Sequence, residues 1–163
     1  MLIRIAQKND LQEIVDIYNQ AVAGGFMTAD TRPWQTAQRQ EWFAIHTPNE
    51  HPIFVAEIDG KVTGWLTVSA YRPGRHALRF IKEVSYYIDH NYVGQGIGSA
   101  LLAHAIQEAP NLQIKHYLAI VLDENKASIK LLEKFGFQLW GHLPGIADFD
   151  GVICGHVYYG LPI

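Results

Sequence analysis

Cysteine is almost absent from this chain. Cys154 is the one thiol in 163 residues, which excludes an internal disulfide and makes a reducing cytoplasm the expected compartment. No apolar stretch approaches the ~18 residues that span a bilayer, so no membrane is expected as a partner. The first residues, Met1-Leu2-Ile3-Arg4-Ile5, read as a short strand and not as a cleaved leader. Basic runs are missing too. The 13 Lys and Arg are dispersed and the net charge is −3, which removes nucleic acid from the expected partners. Eight histidines occur without an H-x-x-x-H pair, so no metal is expected. Repeats, low-complexity tracts and linkers do not occur. With 48% hydrophobic residues the chain can fill one sizeable core, and 1–163 reads as a single α/β (α+β) domain.

Glycine, by contrast, is concentrated where it can do chemistry. In Tyr92-Val93-Gly94-Gln95-Gly96-Ile97-Gly98-Ser99, three glycines alternate over five positions. The β-rich segment Val84-Ser85-Tyr86-Tyr87-Ile88 precedes them, and a helical stripe of Ile97, Leu101, Ala105, Ile106 and Ala109 follows. Strand, glycine turn and helix aim successive backbone N–H groups, at the positive end of a helix, into one concavity. Glycines let a ligand approach the main chain without meeting Cβ atoms. The expected guest is a phosphate or pyrophosphate. A mere tight turn is the plainer alternative, but it would need only one glycine. A dinucleotide-binding domain is another. It normally runs its strand straight into G-x-G-x-x-G, whereas here Asp89-His90-Asn91-Tyr92-Val93 intervene and the spacing is G-x-G-x-G.

Taken in order, Leu2–Ile5 reads as a strand, followed by a helix capped by Asn9 or Asp10 that carries Leu11, Ile14, Val15, Tyr18, Ala21 and Val22 to the stop at Gly24-Gly25. Residues 26–36 are irregular, and a second helix is expected over 37–45. Strands over 53–58 and 61–70 flank Asp59-Gly60, a type I′ hairpin signal. A loop over 71–77 leads to a long strand over 78–89 and then to the glycine turn with its helix to Ala109. A buried strand over 116–122 and a short helix bearing Ile129, Leu132 and Phe135 follow, with Gly136 as the C-terminal stop. Strands over 137–141 and 152–161, separated by a loop over 143–151, complete the chain.

Several segments now converge. Gly94-Gln95-Gly96-Ile97-Gly98 after Ser85-Tyr86-Tyr87-Ile88-Asp89, with Asn125-x-x-Ser128 and Glu133-Lys134-Phe135-Gly136-Phe137 downstream, resembles the GNAT superfamily of N-acetyltransferases over essentially the whole chain. Ile17-Tyr18-Asn19-Gln20-Ala21-Val22, Asp30-Thr31-Arg32-Pro33, Glu41-Trp42-Phe43, Gly64-Trp65, Tyr71-Arg72-Pro73 and Glu83-x-Ser85-x-Tyr87 are similar to its phosphinothricin and methionine sulfoximine acetyltransferase group. The resemblance implies a mixed, mostly antiparallel sheet of six to seven strands with about four helices. It also implies a splayed strand pair that holds acetyl-CoA as co-substrate. It assigns the pyrophosphate to the amides of Gly94, Gln95, Gly96, Ile97, Gly98 and Ser99. The pantetheine and thioester fall to Tyr86, Tyr87 and Ile88, and the far arm to Asn125 and Ser128. The acceptor falls to Tyr71, Arg72, Pro73, Glu83, Val84 and Ser85. A homodimer is implied as well. Five positions depart from the pattern: Ala29, Val93, Leu132, Ile153 and Gly155. Leu132 stands where a Tyr or His is usual and cannot protonate a leaving thiolate, so the general acid is unassigned, with solvent or Tyr158 open.

The chemistry of acetyl transfer to an amine selects residues independently. The amine must lose a proton, the carbonyl must be polarised, and the reactants must be aligned. Glu83 is the expected base, with desolvation raising its pKa. Arg72 is the expected two-point clamp for an acidic group on a small amine, with Arg32 and Arg75 as lesser versions. The 26–34 loop is expected to wall the acceptor. A polyamine or protein N-terminus is an alternative acceptor, with Asp148 and Asp150 the local acidic hint for a polyamine. A non-catalytic acetyl-CoA-binding module is the alternative of another class. A Cys154–His156 nucleophile pair is conceivable from their shared strand face, but such spacing is common by chance. Trp34, Trp42, Trp65 and Trp140 read as core or pocket wall.

Overall fold

Alternating apolar residues build one sheet. A computed structural model describes residues 1–163. Seven strands form: β1 (Leu2–Ile5), β2 (Ile53–Ile58), β3 (Lys61–Ala70), β4 (Ile81–Ile88), β5 (His116–Leu122), β6 (Gln138–Phe149) and β7 (Val152–Pro162). Four helices accompany them: α1 (Leu11–Gly24), α2 (Gln40–Ala44), α3 (Ile97–Glu108) and α4 (Lys126–Lys134). The spatial order is β1-β2-β3-β4-β5-β7-β6. Every pairing is antiparallel except β4 with β5. No helix is long and apolar enough to cross a membrane.

Strand alternation splits the core in two. Phe54, Leu66, Val68 and Val84 pack on one face with Ile97, Leu101 and Leu102 of α3 and Leu132 of α4. Val55, Trp65 and Val62 pack on the other with Ile14, Ile17 and Tyr18 of α1. Leu132, the departure from the family pattern, is fully buried in the first core. It is a packing residue.

The turn chemistry explains the hairpins. Asp59 and Gly60 have φ of 50° and 79°, the double positive values that type I′ requires. Asp150 and Gly151, at 52° and 95°, repeat the device between β6 and β7. That second turn corrects the expected 143–151 loop, most of which is strand. Two bulges, at Leu139/Gly141 and Leu143/Ala147, absorb Trp140 and the Pro144-Gly145-Ile146 run, so the alternation breaks without ending the ladder. At the first bulge a Cβ on Gly160 would overlap the Trp140 indole, so the ring lies flat on the β7 backbone.

Two smaller corrections follow from local bonding. The expected strand over 78–89 begins at Ile81, because 76–78 closes a 3-10 turn. Asp10 does not cap α1 with its side chain. It takes the Gln7 N–H at 2.6 Å and the Arg4 guanidinium at 2.7 Å, tying β1 to the helix entry.

Candidate active site

The glycine turn places its donors as the sequence suggests. Gly94 and Gly96 both have φ of 81°, and a Cβ on either would meet no atom within 4 Å. Glycine is therefore demanded by backbone conformation, and the space above stays open. The N–H groups of Gly94, Gly96, Ile97, Gly98 and Ser99 have no acceptor within the chain, and the helical ladder starts only at Ala100, which donates to Gly96 at 3.0 Å. Five free amides at a helix N-terminus make an anion cradle. Gln95 differs: its N–H reaches Tyr92 O at 3.4 Å. Val93 is 68% exposed and supplies no polar group.

Asp89 holds this turn in place. It is only 3% exposed and accepts from Asn91 N at 2.9 Å, Asn91 Nδ2 at 3.0 Å and Lys61 Nζ at 3.1 Å. Burial opposes its ionisation, but these donors outweigh burial and hold the carboxyl below the usual range. The sequence reading assigned Asp89 no such role, although Asp-x-Asn at a turn is a local signal.

Beside the cradle the sheet opens. β4 and β5 pair only at Ile81↔His116, Lys82↔Tyr117 and Glu83↔Leu118. Beyond Glu83 the two strands separate. Asp89 donates its N–H to Thr63 O at 2.9 Å, so alternation turns the N–H groups of Tyr86 and Ile88 toward the gap. The Tyr86 hydroxyl donates to Ser128 O at 3.4 Å, joining β4 to α4, and burial pushes its pKa up to about 12. Asn125 caps α4, accepting from Ser128 N at 3.1 Å through Oδ1 and leaving its amide hydrogens free.

The side chains of Glu83, Ser85 and Tyr87 alternate with Val84 and share the face covered by α1, whereas Val84, 2% exposed, belongs to the α3 core and offers only its backbone. Glu83 is half-buried and makes no hydrogen bond or ion pair. Burial alone raises its pKa. Next to it an aromatic wall forms. Tyr18 stacks on Trp34 with centroids 3.6 Å apart and meets Tyr87 edge-on at 4.8 Å, and Tyr87 lies 4.7 Å from Trp65. Asp30 anchors the wall, accepting from Tyr18 Oη and Trp34 Nε1, both at 2.7 Å. Phe26 meets Phe149 at 5.1 Å, so the 26–34 loop touches the tip of the β6–β7 hairpin. One cavity of about 370 Å³ opens between this loop and Gln38 and Arg39.

Tyr71, Arg72 and Pro73 lie in the β3–β4 connection. Arg72 and Pro73 line a second cavity, of about 460 Å³, which Glu83 does not line. Two further groupings were not read from the sequence. His46 donates from Nδ1 to Trp42 O at 2.7 Å, which leaves Nε2 to accept from the Ser69 hydroxyl at 3.1 Å, and Ser69 is the cross-strand neighbour of Glu83. Asp123 accepts from Gly155 N at 2.9 Å and pairs with His142 at 3.0 Å, and a Cβ at Gly155 would collide with both side chains. Gly155, another departure from the family pattern, makes room for that pair. Cys154 is buried, and burial raises its thiol pKa, which disfavours a nucleophilic thiolate.

A free-amide cradle, an opened parallel strand pair and an unpaired half-buried carboxylate thus lie on one sheet. The acetyltransferase (GNAT) family pattern matches residues 11–137. The Bacillus subtilis protein YwnH, named provisionally as a phosphinothricin acetyltransferase, is 44% identical over 152 residues, covering 93% of this chain and 92% of that protein. The L-methionine sulfoximine/L-methionine sulfone acetyltransferase of Salmonella typhimurium is 31% identical, covering 90% of this chain and 85% of that protein. A GNAT superfamily phosphinothricin acetyltransferase from Sinorhizobium meliloti, solved in complex with acetyl-CoA, is 30% identical and superposes with a TM-score of 0.93 over 99% of this chain and 88% of that one. The family match takes in α1, the splayed strands and the glycine cradle, and the chain belongs to the acetyltransferase (GNAT) family.

Proposed function

We propose that the protein transfers the acetyl group of acetyl-CoA to the primary amine of a small amino-acid-like molecule, of the phosphinothricin or methionine sulfoximine kind, by direct attack in a ternary complex. One observation carries this reading most: Glu83, half-buried and unpaired, stands where β4 and β5 part. The free amides from Gly94 to Ser99 suit the pyrophosphate of coenzyme A, and the amides of Tyr86 and Ile88 suit the amide-rich pantetheine and the developing oxyanion. Glu83 takes the amine proton, directly or through water. The N–C bond forms, the C–S bond breaks to release the thiolate, and Glu83 passes its proton to solvent. Leu132 lies in the core, so the thiolate draws its proton from solvent or from Tyr158.

Arg72 holds the acidic group of the acceptor in this reading. Replacing it with Ala raises the acceptor KM about tenfold or more and leaves the acetyl-CoA KM within about twofold, as expected for loss of a charge-assisted contact. An unchanged acceptor KM removes Arg72 from the site. Gly96→Val has the opposite signature. It forces a β-branched residue into φ of 81° and puts a side chain over the cradle, so the acetyl-CoA KM rises at least ~10-fold while the acceptor KM stays constant.

Of the two acidic residues behind the polyamine alternative, Asp148 accepts the Gly151 N–H at 2.7 Å within the hairpin turn and Asp150 is exposed at that turn. A homodimer remains part of the reading. β6 is an edge strand with Leu139, Trp140, Leu143 and Ile146 exposed, a row suited to a second copy. All seven strands share one sheet, which favours one acetyltransferase domain over 1–163.

A further inference from the structure

The second cavity shares Arg72 with the proposed acceptor site but not Glu83, and its electrostatics are unusual. It lies at the N-terminal end of β4, the end opposite the glycine cradle, between Glu50 and His51 ahead of β2, the end of β3 and the 72–79 connection. Lys82, Arg72, Arg75 and Arg79 line it, against one carboxylate, Glu50, whose side chain is 72% exposed. Four cations meet here in a chain whose net charge is −3.

Lys82 is the informative member. It is 6% exposed, yet its ammonium forms no hydrogen bond and no ion pair. Burial holds it below the usual lysine range. An unpaired charge on a side chain held mostly out of water is costly, and an anion in the cavity offsets that cost. His51 lines the same cavity: burial and Lys82 hold its ring below the usual histidine range, and its Nε2 lies 3.6 Å from Glu50 Oε1. Arg72, Arg75 and Arg79 are set by consecutive tight turns, Arg75 N to Arg72 O at 3.1 Å and Leu78 N to Arg75 O at 2.8 Å. The connection is therefore built, with its guanidinium groups carried on ordered backbone. Strand alternation sends Lys82 to the face of β4 opposite Glu83.

We propose that this cavity binds a compact dianion of the phosphate class, inorganic phosphate or a small phosphate monoester, with Lys82 and His51 at its floor and Arg75 and Arg79 at its rim. At about 460 Å³ it has room for an organic body beyond the phosphate, against Leu78 and Ile81. The inference does not depend on acetyl transfer, because binding is read without acetyl-CoA.

The test is calorimetric titration and thermal unfolding of the full chain with inorganic phosphate and with glycerol 3-phosphate, against sodium chloride at matched ionic strength. Saturable binding and a phosphate-specific rise in Tm are expected. Lys82→Met should raise Tm without anion, since it removes an unpaired buried charge, while weakening phosphate binding at least tenfold. Arg75→Ala, at an exposed position, should weaken binding severalfold and leave the anion-free Tm unchanged, which keeps the test valid if Lys82→Met fails to fold. No saturable heat, a Tm rise matched by chloride, or variants that bind phosphate like the parent protein would overturn the proposal. In the acetyl-transfer assay, competition between phosphate and the acceptor amine assigns the cavity to an acidic tail of the acceptor. Binding without competition assigns it to a separate ligand. Either result upholds the site.

Discussion

Replacing Glu83 with Gln lowers kcat by about 10²–10⁴-fold, the range for loss of a general base, with the acetyl-CoA KM nearly unchanged. The pH dependence is the sharper signature. Glu83 accepts a proton only when ionised, and burial raises its pKa, so the rate climbs as pH rises through that elevated value and then levels. The Gln variant loses this limb. Stability moves the other way. A carboxyl whose folded pKa lies above its unfolded value holds more protons in the folded state within that window, so folding stability falls as pH rises through it and stays lower above it. Glu83→Gln removes the buried charge and should therefore raise Tm at neutral pH while abolishing activity. A variant that is both inactive and unstable would point to a structural carboxylate, and one with full activity and an intact pH limb removes Glu83 from the mechanism.

Trp65→Ala destabilises the fold by about 3–5 kcal/mol, the usual cost of emptying a buried aromatic site, read as a lower denaturant midpoint at unchanged m-value. Trp65 is 1% exposed, donates from Nε1 to Ile14 O at 3.0 Å, and packs within 4.7 Å of Tyr87 and 5.9 Å of Trp42, centroid to centroid. Truncation leaves a cavity and a helix carbonyl without its side-chain donor. Since a domain of this size is stable by roughly 5–15 kcal/mol, the loss is a large share of the total. Trp65→Phe keeps most of the volume and should recover part of it. Tyr87 and Tyr18 lean on the indole, so the variant's acceptor KM should rise as well. A change below about 1 kcal/mol would mean that Trp65 does not support this wall.

What the sequence discloses follows from how local each signal is. The glycine cradle, the Asp59-Gly60 hairpin and the strand that runs to it were legible because each is written in a few contiguous residues whose backbone demands are specific. The family resemblance extended this to the splayed strands. The sheet confirms it where pairing stops at Glu83↔Leu118. Features made by distant residues stayed hidden. Lys61 reaches Asp89 across 28 positions, and Asp123 reaches Gly155 across 32, so neither support could be read along the chain. The 143–151 segment misled for a different reason: Pro144 and Gly145 look like loop residues, but a bulge holds them against β7. Arg72 stands out in the sequence as a loop arginine, while the cavity it shares with Lys82 needed the sheet to bring β4 beside the 72–79 connection.

The central claim, acetyl transfer from acetyl-CoA to a small amino-acid-like amine, is tested most directly by thiol release from acetyl-CoA on adding phosphinothricin, methionine sulfoximine, unmodified amino acids or polyamines, with the product identified by mass. The account predicts acceptor-dependent thiol release with phosphinothricin or methionine sulfoximine, a product heavier by one acetyl group on its amine, and no such release with the Glu83→Gln variant. Acetyl-CoA binding without thiol release on any amine, or release with polyamines alone, would contradict it.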